Sequence, residues 1–167
     1  IEAAQSIGVP IEGHCSGLSG VKLNAYIDGG IDSDHEAVTK EEGLERLRSG
    51  LWTYIREGSG WSDLKEVIRS VLEEELDKRR ACLVTDDRDA VDIIDEGGVD
   101  YAVRRAIEEG VEPIEAIQMA TINPATRFGF SNHIGGIAPY RTADFFLTDD
   151  LKKLEPKGVI INGKNIR

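Results

Sequence analysis

The chain has 167 residues, 40% of them hydrophobic and 31% charged, a composition typical of one globular unit of ordinary domain size. Its net charge of -11 disfavours nucleic acid and anionic membrane as partners and is compatible with a neutral or cationic small substrate. No apolar run reaches the roughly 20 residues of a membrane span, and no signal-peptide pattern opens the chain, so we expect a cytoplasmic protein. Two cysteines are too few for a disulfide framework, so we expect both to be buried free thiols.

Helices and short strands alternate along the first 110 residues. Strands are predicted from four apolar or β-prone runs, at residues 9–13, 30–33, 51–55 and 82–85. Helices are predicted from apolar residues at helical spacing, at residues 1–7, 19–28, 39–50, 62–78 and 99–107. Strands of this length that alternate with helices pair in parallel through right-handed crossovers. The pattern indicates four β/α units, which belong either to an open doubly wound sheet or to a portion of a (β/α)8 barrel.

Three of these helices carry boundary signals. Thr39 and Glu42 have the spacing of a capping box, and Ser62 could cap the first turn of its helix. Gly110 stands where a left-handed C-terminal cap is expected. The acidic run at residues 73–75 is interpreted as a solvated helix face.

Beyond residue 110 the alternation ends. Pro113 is well placed as the first residue of a helix that runs to residue 121, and Asn123-Pro124 begins another short turn. Two strands are predicted in TADFFLTD and GVIINGKNI, the second of which runs into an Asn162-Gly163 turn. This β-like tail lies outside the repeating units.

Polar residues follow each of the four predicted β/α strands. They are His14 with Cys15, Asp34-His35-Glu36, Arg56-Glu57 and Asp86-Asp87-Arg88. The carboxyl ends of parallel strands lie on one face of a sheet, and in barrels catalytic groups converge there. We therefore expect residues far apart in sequence to meet in one pocket, with His14 at one corner.

Two imidazoles and a carboxylate are a suitable ligand set for a borderline divalent metal such as zinc, iron or manganese. Three ligands with open positions describe a catalytic site better than a structural one. Such a metal lowers the pKa of a bound water to near neutrality, and a nearby carboxylate can collect its proton. The pattern therefore favours hydrolysis.

Each cluster also has a purely structural interpretation. A histidine at a strand end is often a satisfied polar residue, and Asp86-Asp87 could cap the helix that follows. Arg56-Glu57 could be an ordinary surface pair. His133, in a loop flanked by glycine, is interpreted as exposed.

Longer motifs carry a resemblance to a known family. The order GHCSGLSGVKLNAYIDGGIDSDHE, IREGS, LVTDDR and IQMATINPATRFG closely resembles the C-terminal half of bacterial and archaeal adenine deaminases, members of the metal-dependent amidohydrolase superfamily. The similarity covers nearly the whole chain. It implies an α/β fold, in which residues 1–130 form the C-terminal half (strands five to eight) of a distorted (β/α)8 TIM barrel. Residues 131–167 would form part of a small β-sandwich domain.

The resemblance also implies a role for each polar cluster. In these enzymes the histidines that end strands five and six are metal ligands, and they match His14 and His35. The aspartate that ends strand eight matches Asp86, which would touch the metal and shuttle protons. The neighbouring Asp87 would be a second catalytic residue close to the substrate, and the division of roles between the two aspartates stays open. The implied substrate-binding residues are Arg56, Glu57, Ser59 and Glu36.

The implied reaction is hydrolytic deamination of adenine to hypoxanthine and ammonia, a step of purine salvage and adenine catabolism. A metal-bound hydroxide would attack C6 of the purine, and Asp86 would pass the proton towards the departing amine. The implied cofactor is a binuclear manganese or iron centre, with zinc as an alternative.

The sequence lacks parts of the family's metal site. The His-x-His pair of strand one and the bridging ligand of strand four have no counterpart in it, so we expect these residues alone not to hold the full centre. A half barrel would also leave strand edges and an apolar interior unpaired. Since the chain opens at Ile1, inside a predicted helix, we expect a missing N-terminal half, a second copy in a homo-oligomer, or a chain that closes on itself in a smaller sheet.

Two other functions remain open. One is an amidohydrolase that acts on another cyclic amidine or amide, and the other is a non-catalytic β/α binding module with structural histidines. The family often continues TDDR with histidine where this chain has Asp89, which weakens any substrate assignment for that loop. A usual glycine is also replaced in APYR at residues 138–141, a change that concerns only a turn.

Overall fold

The computed structural model describes residues 1–73 and 76–167. Its helices are α1 (Glu2–Ser6), α2 (Gly20–Asp28), α3 (Lys40–Arg48), α4 (Leu64–Val67), α5 (Arg69–Leu72), α6 (Ala90–Asp95), α7 (Val99–Glu108), α8 (Pro113–Ala120) and α9 (Ile122–Arg127). Its strands are β1 (Ser33–Asp34), β2 (Trp52–Arg56), β3 (Ala81–Val84), β4 (Phe145–Leu147), β5 (Gly158–Ile161) and β6 (Lys164–Asn165). A 3-10 turn at Lys78–Arg80 leads into β3. Within the described residues, no helix has the length and apolar character needed to cross a membrane.

The strands β1, β2 and β3 form a parallel sheet in that order. Ser33 lies opposite Trp52, and Thr53 lies opposite Ala81. The helix α3 connects β1 to β2, and α4 and α5 lie between β2 and β3. The predicted parallel pairing is thus confirmed for these three strands. The helices lie in the connections because parallel neighbours need a crossover of a dozen or more residues.

The strand predicted at residues 9–13 does not form. The segment runs beside β1, but side chains of both segments take part in its hydrogen bonds: the Gly13 N–H donates to Ser33 Oγ at 2.9 Å, and the Ser33 hydroxyl donates to Glu12 at 2.8 Å. The approach is close, since a Cβ on Gly13 would lie 2.1 Å from the Ser33 carbonyl oxygen. These side-chain hydrogen bonds replace the regular backbone ladder that a strand requires.

The predicted caps at Thr39 and Gly110 are confirmed, although the Glu42 carboxylate of the predicted capping box accepts from the Val38 N–H at 2.9 Å and not from that of Thr39. The helix α3 begins after Thr39, whose hydroxyl oxygen accepts from the Glu42 N–H at 3.2 Å. Beyond the end of α7, Gly110 has a φ of 112°, the left-handed conformation that glycine adopts without steric cost. Both signals are local, so the sequence is enough to locate them.

The helix predicted at residues 62–78 is divided into two short pieces. The first piece, α4, begins after Asp63, so Ser62 is not its capping residue; Ser62 takes part in an isolated β-bridge instead. The pieces meet at Ile68. Of the acidic run interpreted as a solvated face, residues 74–75 lie outside the described residues.

The hydrophobic core lies between one face of the parallel sheet and the helices α4, α7 and α8. It includes Ile55, Leu64, Val67, Ile68, Leu83, Ala102, Ala106 and Met119. Because side chains alternate along a strand, Ile55 faces this core while its neighbours Tyr54 and Arg56 face the opposite side. The second face carries the polar side chains of Tyr54 and Arg56 beside Trp52 and Cys82. We call it the polar face, and it carries the site described below.

A buried guanidinium, that of Arg127, lies near the amino end of this polar face. It donates to both carboxylate oxygens of Asp32, at 2.8 and 2.6 Å, and also to Glu12 and to the Tyr54 hydroxyl. Burial disfavours the charged guanidinium, but the hydrogen bonds to Asp32 and Tyr54 outweigh burial and raise the pKa of Arg127. This network ties α9 to the sheet and was not predicted from the sequence.

The last strands form a separate antiparallel sheet in the order β4-β5-β6. Phe145 pairs with Ile160, and β5 and β6 are joined through Asn162 and Gly163, which have φ values of 49° and 72°. Two successive positive φ values are those of a type I′ hairpin turn. The two predicted strands and the Asn-Gly turn are thus confirmed.

Candidate metal-binding site

Two of the predicted metal ligands, His14 and His35, lie side by side at the carboxyl end of the parallel sheet. Nδ1 of His14 is 3.3 Å from Nε2 of His35. One carboxylate oxygen of Glu36, Oε1, is 3.5 Å from the first of these nitrogens and 3.3 Å from the second. Among the residues that the structure describes, His14, His35 and Glu36 are the three of metal-binding type whose donor atoms all lie within 4.8 Å of one another. We call these three residues the metal-ligand group.

The donor set fits a divalent metal. In a tetrahedral site with bonds of about 2.1 Å, neighbouring donor atoms are about 3.4 Å apart. The three separations of 3.3, 3.3 and 3.5 Å match the edges of such a tetrahedron. Imidazole and carboxylate ligands suit zinc, iron and manganese.

A buried ion pair fixes the loop that carries His14. Asp34, in β1, accepts from the Cys15 N–H at 2.9 Å and from Arg46 Nε at 3.0 Å. Arg46 Nη2 also donates to the Cys15 carbonyl oxygen at 3.1 Å. The Tyr26 hydroxyl oxygen in turn accepts from the His14 N–H at 2.7 Å. The Asp34–Arg46 pair therefore holds the loop against the end of β1, beside His35.

Sequence reasoning missed this ion pair, because it placed Asp34 just after a predicted strand and not inside one. The structure shows Asp34 within β1 and fully buried, and a buried carboxylate needs a cationic partner. Only the fold shows that the partner is Arg46, since the two residues belong to different elements.

The thiol of Cys15 takes no part in the donor group. Burial raises its pKa to about 12, and the charge of Asp34 acts in the same direction. Burial likewise raises the pKa of Cys82 to about 12. Both cysteines are buried free thiols, as predicted, and both stay protonated at neutral pH.

The guanidinium of Arg56 lies between the predicted site residues. It is only 3% exposed. Nη1 donates to Glu36 Oε1 at 2.6 Å and to Asp86 Oδ2 at 3.3 Å, and Nη2 donates to Asp63 Oδ2 at 2.7 Å. Burial lowers the pKa of Arg56, but the hydrogen bond to Asp63 and the charge of Glu36 outweigh burial and leave that pKa raised. Arg56 is therefore a fixed cation, not a surface residue.

The two predicted catalytic aspartates lie in different surroundings. The Asp86 side chain is 40% exposed and contacts Arg56, and its backbone has a left-handed φ of 55°. The Asp87 carboxylate turns towards the loop after β2, where it accepts from the Gly60 N–H at 2.8 Å. A Cβ on Gly58 would lie 1.9 Å from Asp87 Oδ1. Within the described residues, Asp86, which was also predicted as a metal ligand, lies outside the His14–His35–Glu36 group and contacts Arg56 instead, whereas Asp87 holds a loop.

The predicted substrate residues Glu57 and Ser59 contact helices, not the histidines. Glu57 Oε1 lies 3.6 Å from Arg105 Nε on α7. The Ser59 hydroxyl donates to Asp92 on α6 at 2.5 Å and accepts from the Asp89 N–H at 2.9 Å.

The helix cap considered for Asp86-Asp87 belongs to Asp89. Its carboxylate accepts from the Val91 and Asp92 N–H groups at the start of α6. His133 is exposed, as interpreted from its loop.

The profile of the Amidohydrolase family matches residues 1–166, so the chain belongs to this family. Its sequence is similar to proteins named adenine deaminase. It is 41% identical to the one from Staphylothermus marinus over 99% of this chain, and 48% identical to the one from Archaeoglobus fulgidus over 92% of it. The chain spans 27% of the length of each of these relatives.

Solved structures share the fold. Phenylurea hydrolase B aligns with 99% of this chain and 45% of its own, with a TM-score of 0.67 and 21% identity. The β-aspartyl dipeptidase of Fervidobacterium islandicum aligns with 92% of this chain and 45% of its own, with a TM-score of 0.65 and 22% identity. At such identities the likeness concerns the fold alone, and it confirms the α/β class of the amidohydrolases.

Proposed function

We propose that this chain is part of an enzyme that hydrolyses adenine to hypoxanthine and ammonia. The observation that carries the proposal is the His14–His35–Glu36 group at the carboxyl end of the parallel sheet. The adenine deaminases to which the chain is similar supply the choice of substrate. Hydrolysis forms a C–O bond and breaks the C–N bond of the exocyclic amine at C6.

His14 and His35 hold a divalent metal in this proposal. Such a metal lowers the pKa of a bound water to near 7 and so supplies a nucleophile at neutral pH. The two imidazoles are suited to the task because the Asp34–Arg46 pair and the Tyr26 hydroxyl fix the loop of His14. Manganese or iron in a binuclear centre is the proposed cofactor.

Asp86 is the proposed proton carrier. Its carboxylate is exposed enough to reach a substrate, and it contacts Arg56 Nη1 at 3.3 Å, the same nitrogen that donates to Glu36. It would take the proton from the attacking water and deliver it to the departing amine nitrogen. Asp87, Glu57 and Ser59 would act indirectly, since their contacts support the loop after β2 and its packing on α6 and α7.

The rest of the site would come from residues outside this chain. We propose that the chain supplies strands five to eight of a (β/α)8 barrel over residues 1–130 and part of a β-sandwich over residues 131–167. A first-strand His-x-His pair and a bridging ligand would be added by an N-terminal half, whereas a second copy, which also lacks the pair, would only cover the open strand edges. A homo-oligomer in the cytoplasm completes the proposal.

The proposal is tested by measuring ammonia release from adenine with the complete natural polypeptide that carries this chain, after loading with Mn²⁺. We expect turnover, and we expect Asp86→Asn to lower kcat by about 100-fold or more while Lys65→Met, on α4, leaves it unchanged. The isolated 167 residues should bind metal weakly and show no turnover. If adenine stays unchanged while another cyclic amidine or amide is consumed, the proposed substrate is wrong; if no ring substrate reacts and no metal binds, the chain is a binding module.

A further inference from the structure

The carboxylate of Glu36 is a member of the metal-ligand group, although the sequence motifs suggest a substrate contact for it. We propose that Glu36 Oε1 is a direct metal donor, which with His14 Nδ1 and His35 Nε2 forms three corners of one coordination sphere. The inference deepens the proposed function, since it concerns the same metal, but it does not depend on which substrate is bound.

The backbone explains how two consecutive residues reach one point. In a continuous strand, the side chains of His35 and Glu36 would point to opposite faces. The strand β1 ends at Asp34, and the chain bends at His35. After this bend both side chains reach His14, with separations of 3.3 and 3.5 Å from its Nδ1.

The alternative carboxylate, that of Asp86, lies on the other side of a cation. Arg56 Nη1 contacts both Glu36 Oε1, at 2.6 Å, and Asp86 Oδ2, at 3.3 Å. Within the described residues, Asp86 is not a member of the group whose donor atoms lie within 4.8 Å of one another. The Glu36 side chain is also less exposed, at 14% against 40% for Asp86, so water competes less for its oxygen.

The contact with Arg56 leaves Glu36 free to bind a metal. A carboxylate oxygen has two lone-pair positions, so Oε1 can accept from Nη1 and bind a metal with the other. Arg56 is in turn fixed by Asp63 Oδ2 at 2.7 Å. One guanidinium therefore orients the donor oxygen while a different carboxylate holds the guanidinium.

The local charge also favours a divalent cation. Among the described residues, the three carboxylates that contact Arg56 are those of Glu36, Asp63 and Asp86. Three negative charges and one positive charge sum to -2 when both imidazoles are neutral. A bound M²⁺ would neutralise this sum.

The test measures the dissociation constant of Mn²⁺ by chelator competition, in the absence of substrate, with the complete natural polypeptide. We expect Glu36→Gln to raise the dissociation constant by more than about 100-fold. Loss of a residue that only supports a ligand lowers metal affinity by about 10- to 100-fold, so a larger rise indicates loss of a ligand. The matched control is Glu41→Gln, which removes the same charge from an exposed site on α3 and should change the constant less than about 3-fold. A rise of about 100-fold or less for Glu36→Gln overturns the inference.

Two further measurements keep the outcomes separate. If Glu36→Gln lowers the melting temperature of the metal-free protein, the measurement is made with Glu36→Asp instead. This variant keeps the charge beside Arg56 but withdraws the carboxylate by one methylene. Its Mn²⁺ dissociation constant is judged by the same limit, a rise of about 100-fold. An enzyme that ignores adenine but loses Mn²⁺ in these variants would contradict the proposed substrate and support this inference. Turnover of adenine together with unchanged Mn²⁺ affinity in these variants would support the proposed substrate and contradict this inference.

Discussion

Arg46 and Asp34 form an ion pair in which both side chains are fully buried. The pair links α3 to β1 and also holds the backbone of Cys15, so it supports the loop that carries His14. Neither residue belongs to the metal-ligand group. Their contribution is to stability and to position, which two substitutions can measure.

We expect Arg46→Met to lower the free energy of unfolding by about 3–5 kcal/mol, because it leaves a buried carboxylate without its cation. Urea denaturation of the metal-free protein measures this. The control is Arg69→Met, which breaks exposed pairs on α5 and should cost less than about 1 kcal/mol. A loss for Arg46→Met as small as that of the control would mean that the pair does not hold the loop.

The helices show which parts of the fold the sequence can predict. The boundaries of α3, α7 and α8 follow from local signals, such as Thr39 with Glu42 or Pro113 at the first turn, because those hydrogen bonds and dihedral angles involve neighbouring residues. The segment 9–13 was misjudged because its partner, Ser33, lies 20 residues away in the chain. Regular pairing depends on tertiary contacts that a short apolar run does not reveal.

The cap of α3 is the element-scale feature most open to measurement. Thr39→Ala removes the acceptor of the Glu42 N–H, so we expect a loss of about 1 kcal/mol in the free energy of unfolding. Ser49→Ala, at the other end of α3, is the control, since its side chain has no hydrogen bond within the described part of the chain. Thermal denaturation of both variants tests the difference, and equal stabilities would show that Thr39 contributes nothing as a cap.

The candidate site was predicted in part from the same reasoning. His14 and His35 meet because both follow the carboxyl ends of neighbouring segments, which is a property of parallel architecture. Glu36 joins them because the chain bends at His35, and the carboxylates of Glu36, Asp63 and Asp86, which follow three different strands, converge on Arg56. Neither the bend nor the convergence can be read from residue spacing.

At the scale of the whole molecule, the parallel sheet has an apolar face against helices and a polar face that carries the site. Within the described residues, β1 and β3 are its edge strands, and open edges are usually paired or covered in native proteins. Arg127 and its carboxylate partners occupy the amino end of the polar face, and the candidate site lies at the carboxyl end. This division matches barrels in which active sites lie at the carboxyl ends of the strands.

The most direct test of the central claim is the anomalous diffraction of crystals of the complete natural polypeptide loaded with Mn²⁺. We expect a metal peak at about 2.0–2.3 Å from His14 Nδ1 and from His35 Nε2, at the carboxyl end of the parallel sheet. A loaded protein whose metal peaks all lie away from both imidazoles would contradict the claim.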